Sequence, residues 1–177
     1  VISDVENLKR NLFLFTQIKD LKIPTILVIN MADRMSRKGI SMDIEAMEKK
    51  LDTRIALVST RKRQGIERIK ELIADYKNLS SAPNVDVKRI SPEYFERLQK
   101  TFPNEDLYKL WLVITQDVNF MPIEKKRIED ATSFATKSKE ELKKLQHKET
   151  VLRYQFINNT LKETYKVEFL AAKGLRG

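Results

Sequence analysis

Cysteine is absent from the 177-residue sequence, and histidine occurs once. The first absence excludes disulfides, thiolate metal sites and a cysteine nucleophile, and fits a reducing compartment. The second excludes a histidine-rich metal site. His147 sits within Leu145-Gln146-His147-Lys148-Glu149, which reads as exposed helix face rather than a proton or metal site. Glycine is scarce: Gly39, Gly65, Gly174 and Gly177 are all there are. With so few, no Gly-x-x-x-x-Gly-Lys-[Ser/Thr] phosphate loop can form, and no Asp-x-x-Gly occurs. Long apolar runs are missing too. The longest, Leu110 to Ile114, has five residues, against the roughly 18 that span a bilayer. The opening Val1-Ile2-Ser3-Asp4 has neither a basic n-region nor a starting methionine, so Val1 is expected not to be the natural start.

What is present suits a buried core: 41% hydrophobic and 33% charged residues. The net charge of +9 raises nucleic acid, anionic lipid and nucleotide phosphate as partners. It is not concentrated, however. Residues 1–78 hold 16 basic and 11 acidic side chains, and residues 79–177 hold 18 and 14. Interleaving of this kind is mostly solvated helix surface.

The first segment reads helix, strand, helix, strand, helix. Ser3 and Glu6 have capping-box spacing, and Leu8, Leu12, Phe15 and Ile18 recur at helical spacing behind them. Thr25 to Ile29 is a β-branched and aliphatic run after Pro24, the pattern of a strand buried on both faces in a parallel sheet. A polar loop from Asn30 to Gly39 leads to a helix over 43–51 with Ile44, Met47 and Leu51 inward. A strand over 55–58 then leads through Gly65 to a helix carrying Ile66, Ile69, Leu72 and Ile73. Alternation of this kind predicts an α/β fold, a partial doubly wound parallel sheet. Two strands alone make a poor sheet, so the segment reads as the back half of a larger domain. The polar stretch Asn78 to Asn84 marks a linker, dividing the chain into 1–78 and 79–177. The second part is expected to be an all-α bundle with helices near 92–101, 105–116, 123–137 and 139–166. Ser91-Pro92-Glu93 supplies a helix start, and Tyr94, Phe95, Leu98, Phe102, Leu107, Leu110, Trp111 and Ile114 supply the core.

In a doubly wound sheet, ligands bind beyond the carboxyl ends of the strands. Asn30-Met31-Ala32-Asp33 follows the first strand directly, and Ser59-Thr60-Arg61 follows the second. If those strands are neighbours, both loops open onto one crevice. Guanine offers N1–H and N2–H₂ as adjacent donors, which one carboxylate can accept together; adenine has no such pair. Asp33 could accept from both, Asn30 could bind at N7 and brace the loops, and a main-chain N–H around Thr60 or Arg61 could donate to O6. Such a site rejects a base that leaves its buried polar groups unpaired. A bare Asn-x-x-Asp is usually only a turn; its placement after a buried strand, with Ser-Thr-Arg after the next, favours the site.

These motifs also carry a resemblance. Ras-like GTPases have Asn-Lys-x-Asp and Ser-Ala-Lys at the two strand ends. This sequence has Met31 for the lysine and Thr60-Arg61 for Ala-Lys, and in both it resembles the bacterial ferrous iron transport protein B family. Asn7-Leu8-Lys9-Arg10-Asn11-Leu12-Phe13-Leu14 is similar to that family's Asn-Leu-x-Arg-Asn-Leu-x-Leu helix. Gly39-Ile40 with Asp43-Ile44, and Arg61-Lys62 with Gly65-Ile66, fit as well. The match is close over residues 1 to about 75 and rests on no motif beyond the linker.

The resemblance implies that residues 1–78 are the C-terminal half of a GTPase (G) domain and 79–177 a helical regulatory domain. It implies GTP or GDP bound through Asn30, Met31, Asp33, Ser59, Thr60 and Arg61, with Mg²⁺ only in the complete domain. Met31 would lay a thioether along the base where others lay a lysine stem, without the ammonium contacts. The implied partners are the upstream half of the domain and a downstream transmembrane iron-permeation domain, at the cytoplasmic face of the bacterial inner membrane. A homo-oligomer is left open, and nucleic acid is not expected. The basic tail of Lys162, Lys166, Lys173 and Arg176 suits a juxtamembrane position. No catalytic or metal-binding residues are assigned: the chain alone is expected to be inactive, although the parent is a GTPase. Carboxylates such as Glu124, Glu129, Asp130, Glu140 and Glu141 are expected to face solvent rather than to hold iron. Two alternatives are a fragment of an RNA-binding or ribosome-assembly GTPase, and a helical interaction module with no nucleotide role.

Overall fold

The computed structural model describes residues 1–131 and 134–168. The chain separates into two compact units. One comprises Val1–Asn84 together with the stretch from Gln155 onward; the other comprises Val85–Tyr154. The expected division at residue 78 had no place for a return of the chain to the first unit.

In the first unit a parallel three-stranded sheet has the order β1 (Ile2–Asp4), β2 (Ile26–Asn30), β4 (Arg54–Leu57). Ile2 lies opposite Val28, and Ile29 opposite Leu57. Leu27, Val28 and Ile29 are buried, as a run apolar on both faces requires. Helix α1 (Leu8–Asp20) buries Leu8, Leu12 and Phe15, and α2 (Ile44–Leu51) buries Met47 and Leu51. Helix α3 (Ile66–Ala74) packs Leu72 and half-buried Ile69 against Val28, Ala56 and Val58. Each such side chain contributes about 1.5–3 kcal/mol when fully buried.

Several local expectations are corrected. The Ser3–Glu6 capping box does not form, because Ser3 belongs to β1. Asp4 serves instead: its Oδ1 accepts from the amides of Glu6 (3.0 Å) and Asn7 (2.8 Å), and the Ser3 hydroxyl donates to the Asp4 carbonyl. The sheet therefore gains a third strand. On α1, Ile18 is only half-buried, while the next two residues, Lys19 and Asp20, are buried. Ile44 is half-buried, and Ile66 and Ile73 are exposed. Two short strands went unseen: β3 (Ile40–Met42) pairs antiparallel with β5 (Tyr165–Val167), Ile40 opposite Val167. The Tyr165 hydroxyl also donates to the Val5 carbonyl at 3.0 Å.

The second unit is helical: α4 (Pro92–Thr101), α5 (Leu107–Thr115), α6 (Lys125–Glu129) and the first part of α7 (Lys139–Thr164). Tyr94, Phe95, Leu98, Phe102, Leu110 and Trp111 form its core as expected, whereas Leu107 and Ile114 are half-buried. Trp111 Nε1 donates to Glu149 Oε1 and Arg153 Nε donates to Glu149 Oε2, each at 2.9 Å, so a buried cation is matched. Ser91 precedes α4 without a side-chain cap bond, Pro92 filling the first helical position. Helix α6 is much shorter than the expected 123–137, its basic Lys-Lys-Arg start leaving Ile128 alone to bury. His147 is exposed. Of the basic tail, Lys173 and Arg176 lie outside the described residues.

Candidate functional site

The two polar loops are joined by the sheet itself. Beyond the paired register of β2 and β4, the Val58 amide donates to the Ile29 carbonyl (2.8 Å), and the Ala32 amide donates to the Val58 carbonyl (3.0 Å). The backbone of one loop is thus stitched to the root of the other.

Side chains complete the join. Asn30 Oδ1 accepts from the Thr60 amide at 3.1 Å, and Asn30 Nδ2 donates to Thr60 Oγ1 at 3.3 Å. Ser59 Oγ donates to Asp33 Oδ1 at 2.8 Å and accepts from the Lys62 amide at 3.3 Å. Ser59 is buried; Asn30, Met31 and Asp33 are half-buried, and Thr60 and Arg61 exposed. Asn30, Asp33, Ser59 and Thr60 are therefore brought together. Met31 joins them through the backbone, and Arg61 follows Thr60 without a cross-loop bond among the described residues.

Backbone geometry explains the local shape. Met31 is left-handed (φ +66°), unusual for a side chain of its size. It is held there because its carbonyl accepts from Arg34 (2.9 Å), opening a 3-10 turn over Ala32–Arg34 that carries Asp33. In the second loop, Ser59 and Gln64 exchange two backbone bonds of 3.0 Å, closing a tight loop. Gly65, also left-handed (φ +80°), then turns the chain into α3.

The Ser59 hydroxyl holds the Asp33 carboxyl below the usual carboxylate range, with Lys62 and Arg37 adding electrostatic support. Asp33 is thus an anion at neutral pH, a fixed acceptor for paired N–H donors. Sequence reasoning missed the Val58 carbonyl and the Lys62 amide, both backbone groups with no signature in residue type. Among the described residues no group of three or more His, Cys, Asp and Glu is placed to hold a metal ion, and Glu124, Glu129, Asp130, Glu140 and Glu141 are exposed.

The model of a family described as ferrous iron transport protein B matches residues 1–73. The Fe(2+) transporter FeoB of Escherichia coli K12 is 35% identical over 105 residues, 59% of this chain and 14% of that protein. Its counterpart in Salmonella typhimurium is 40% identical over 70 residues, 39% of this chain and 9% of that protein. The chain thus spans about a seventh or less of the curated relatives it matches. Among solved structures, the cytosolic domain of T. maritima FeoB in apo form superposes with a TM-score of 0.79 at 17% identity, covering 93% of this chain and 66% of that one. Its GMPPNP form gives 0.75 at 16%, with 94% and 67% covered. These superpositions show a shared fold.

Proposed function

We infer, from the likeness to ferrous iron transport protein B shown over residues 1–73, that this chain is the guanine-recognising and regulatory part of the cytoplasmic portion of a ferrous iron transporter. The observation that carries the reading is the double join between the strand-end loops, Asn30 to Thr60 and Asp33 to Ser59. It presents an ionised carboxylate and pinned backbone at the carboxyl edge of a parallel sheet, where doubly wound folds bind ligands. Asp33 accepts from guanine N1–H and N2–H₂, Asn30 braces both loops and reaches N7, and the Arg61 amide donates to O6, the Thr60 amide being held by Asn30. Met31 lies along the base plane, and Ser59 keeps Asp33 charged and oriented.

Toward the nucleotide, the chain contributes base recognition alone. Cradling phosphates takes a glycine-rich loop and Mg²⁺, and this sequence has no such loop. Those contacts and hydrolysis itself fall to the upstream half of the G domain, and the helical unit Val85–Tyr154 acts as a regulatory domain ahead of an iron-permeation domain in the inner membrane.

The test fuses the chain to a phosphate-binding G-domain half and compares GDP, ADP and XDP before and after Asp33→Asn. GDP is expected to bind at least about tenfold more tightly than ADP, each lost charge-assisted bond costing about 1.5–3 kcal/mol. Asparagine can donate where xanthine has O2 in place of the guanine amine, so Asp33→Asn is expected to shift preference from GDP to XDP. Equal binding of GDP and ADP by the unsubstituted protein would defeat the reading.

A further inference from the structure

A cavity of about 380 Å³ opens in the second unit among the end of α5, helix α6, residues 136–137 and the first turns of α7. Its lining divides sharply by chemistry. Ile114, Ile128 and Leu142 supply an aliphatic floor, in which Ile114 and Leu142 stay half-exposed to the opening. Around it stand Lys125, Lys137, Lys139 and Lys143, against one carboxylate, Glu129.

Lys137, Lys139 and Lys143 fall within seven consecutive residues around the start of α7, and Lys125 comes from α6, so folding joins two pieces of chain. Lys139, Leu142 and Lys143 share one face of α7 at helical spacing. Lys137 is steadied by the Tyr94 ring, its Nζ 5.2 Å from the centroid. The neighbouring acid Glu141 is otherwise engaged: its Oε2 accepts from the Ser138 amide (2.9 Å) and hydroxyl (3.1 Å), capping α7.

We propose that this cavity binds a small anionic amphiphile, a single carboxylate or sulfonate head on an aliphatic body of roughly ten carbons or fewer, as befits a volume near the lower end for ligand pockets. The head sits among the lysines and the body covers Ile114, Ile128 and Leu142. Glu129 disfavours ligands of higher negative charge. No aromatic ring is among the described lining residues, so a nucleobase finds nothing to stack on. The site shares no residue with the Asn30–Asp33 and Ser59–Arg61 loops and stands independently of the nucleotide reading.

The test titrates octanoate into the isotope-labelled chain and follows amide shifts by two-dimensional NMR, with acetate as the head alone and 1-octanol as the body alone. Octanoate is expected to give saturable shifts confined to residues lining the cavity, with acetate and octanol each weaker by at least about tenfold. Reversing two exposed lysines together, Lys139→Glu with Lys143→Glu, is expected to weaken octanoate on the order of tenfold. An unchanged urea midpoint will show that the pair still folds. Lys125→Gln, on a different element, gives an independent loss of smaller size. Octanol matching octanoate, acetate matching octanoate, or affinity unmoved by the lysine substitutions would each overturn the proposal.

Discussion

Gly65 closes the second loop of the candidate site, and replacing it with alanine tests how that loop is built. Its φ of +80° is a region that side chains rarely adopt. A Cβ there would fall inside the van der Waals envelope of the Leu57 carbonyl oxygen, and would lie 3.0 Å from Val58 Cγ1 and 3.1 Å from Val58 Cα. The left-handed backbone costs alanine about 1–2 kcal/mol. Relieving the collision means moving the end of β4, for roughly a further 1–2 kcal/mol. Alanine returns about 0.4–1 kcal/mol by restricting the unfolded chain. The expected net loss is thus about 1–3.5 kcal/mol, which at a urea m-value of about 2 kcal/mol/M lowers the midpoint by on the order of 1 M.

Far-UV circular dichroism in urea reads that shift, and NMR reads displacement of Ser59 to Gln64. Gly65→Asn separates the two causes, because asparagine tolerates the left-handed region but still carries a Cβ. It is expected to recover part of the loss and no more. A Gly65→Ala midpoint equal to wild type would refute both arguments, and a Gly65→Asn midpoint equal to wild type would refute the collision.

Three further substitutions probe other features. Met31→Val puts a β-branched side chain at φ +66° and is expected to cost about 1–3 kcal/mol in a urea titration, whereas Met31→Gly should be close to neutral; equal effects would argue against the left-handed turn. Glu149→Ala removes the acceptor shared by Trp111 and buried Arg153 and is expected to cost about 3–5 kcal/mol, followed by fluorescence of the single tryptophan; a loss under about 1 kcal/mol would speak against the buried pair. Lys19 is buried, and desolvation lowers its pKa from 10.5, partly offset by Asp52 and Asp20. Above the folded pKa the unfolded chain therefore binds more protons, so stability rises with pH up to the unfolded value; Lys19→Met should lack that rise, and parallel pH–stability curves would contradict it.

Lys19 also shows where sequence reading stops. Periodicity put Ile18 in the core, yet the buried residue is its cationic neighbour, whose Nζ donates to the carbonyls of Asp52 (2.7 Å) and Ser80 (3.1 Å). Those acceptors are backbone groups 33 and 61 residues away, and nothing in the helical pattern of α1 encodes them. The same distance hid β3 and β5. Three residues are too few to show a period of two, and their pairing spans well over a hundred residues. Strand β1 was lost to a local lookalike, since Ser3 and Glu6 have capping-box spacing whether or not a helix begins there.

The candidate site was legible for the opposite reason. Its parts are short and local: a β-branched run that must be buried, followed at once by Asn30 and Asp33, and a second run followed by Ser59 and Thr60. What joins them needed no long-range information beyond the adjacency of β2 and β4, because neighbouring parallel strands bring their carboxyl ends to one edge. The bonds Asn30–Thr60 and Ser59–Asp33 then follow from residue types with the right reach. The cationic cavity of the second unit has no such local grammar. Lys137, Lys139 and Lys143 are near one another in sequence, but only the packing of α5, α6 and α7 brings Lys125 and the aliphatic floor to them. A net charge that looked evenly spread along the chain is therefore locally focused in the fold, and focused charge beside apolar surface can select a ligand where dispersed charge only solvates.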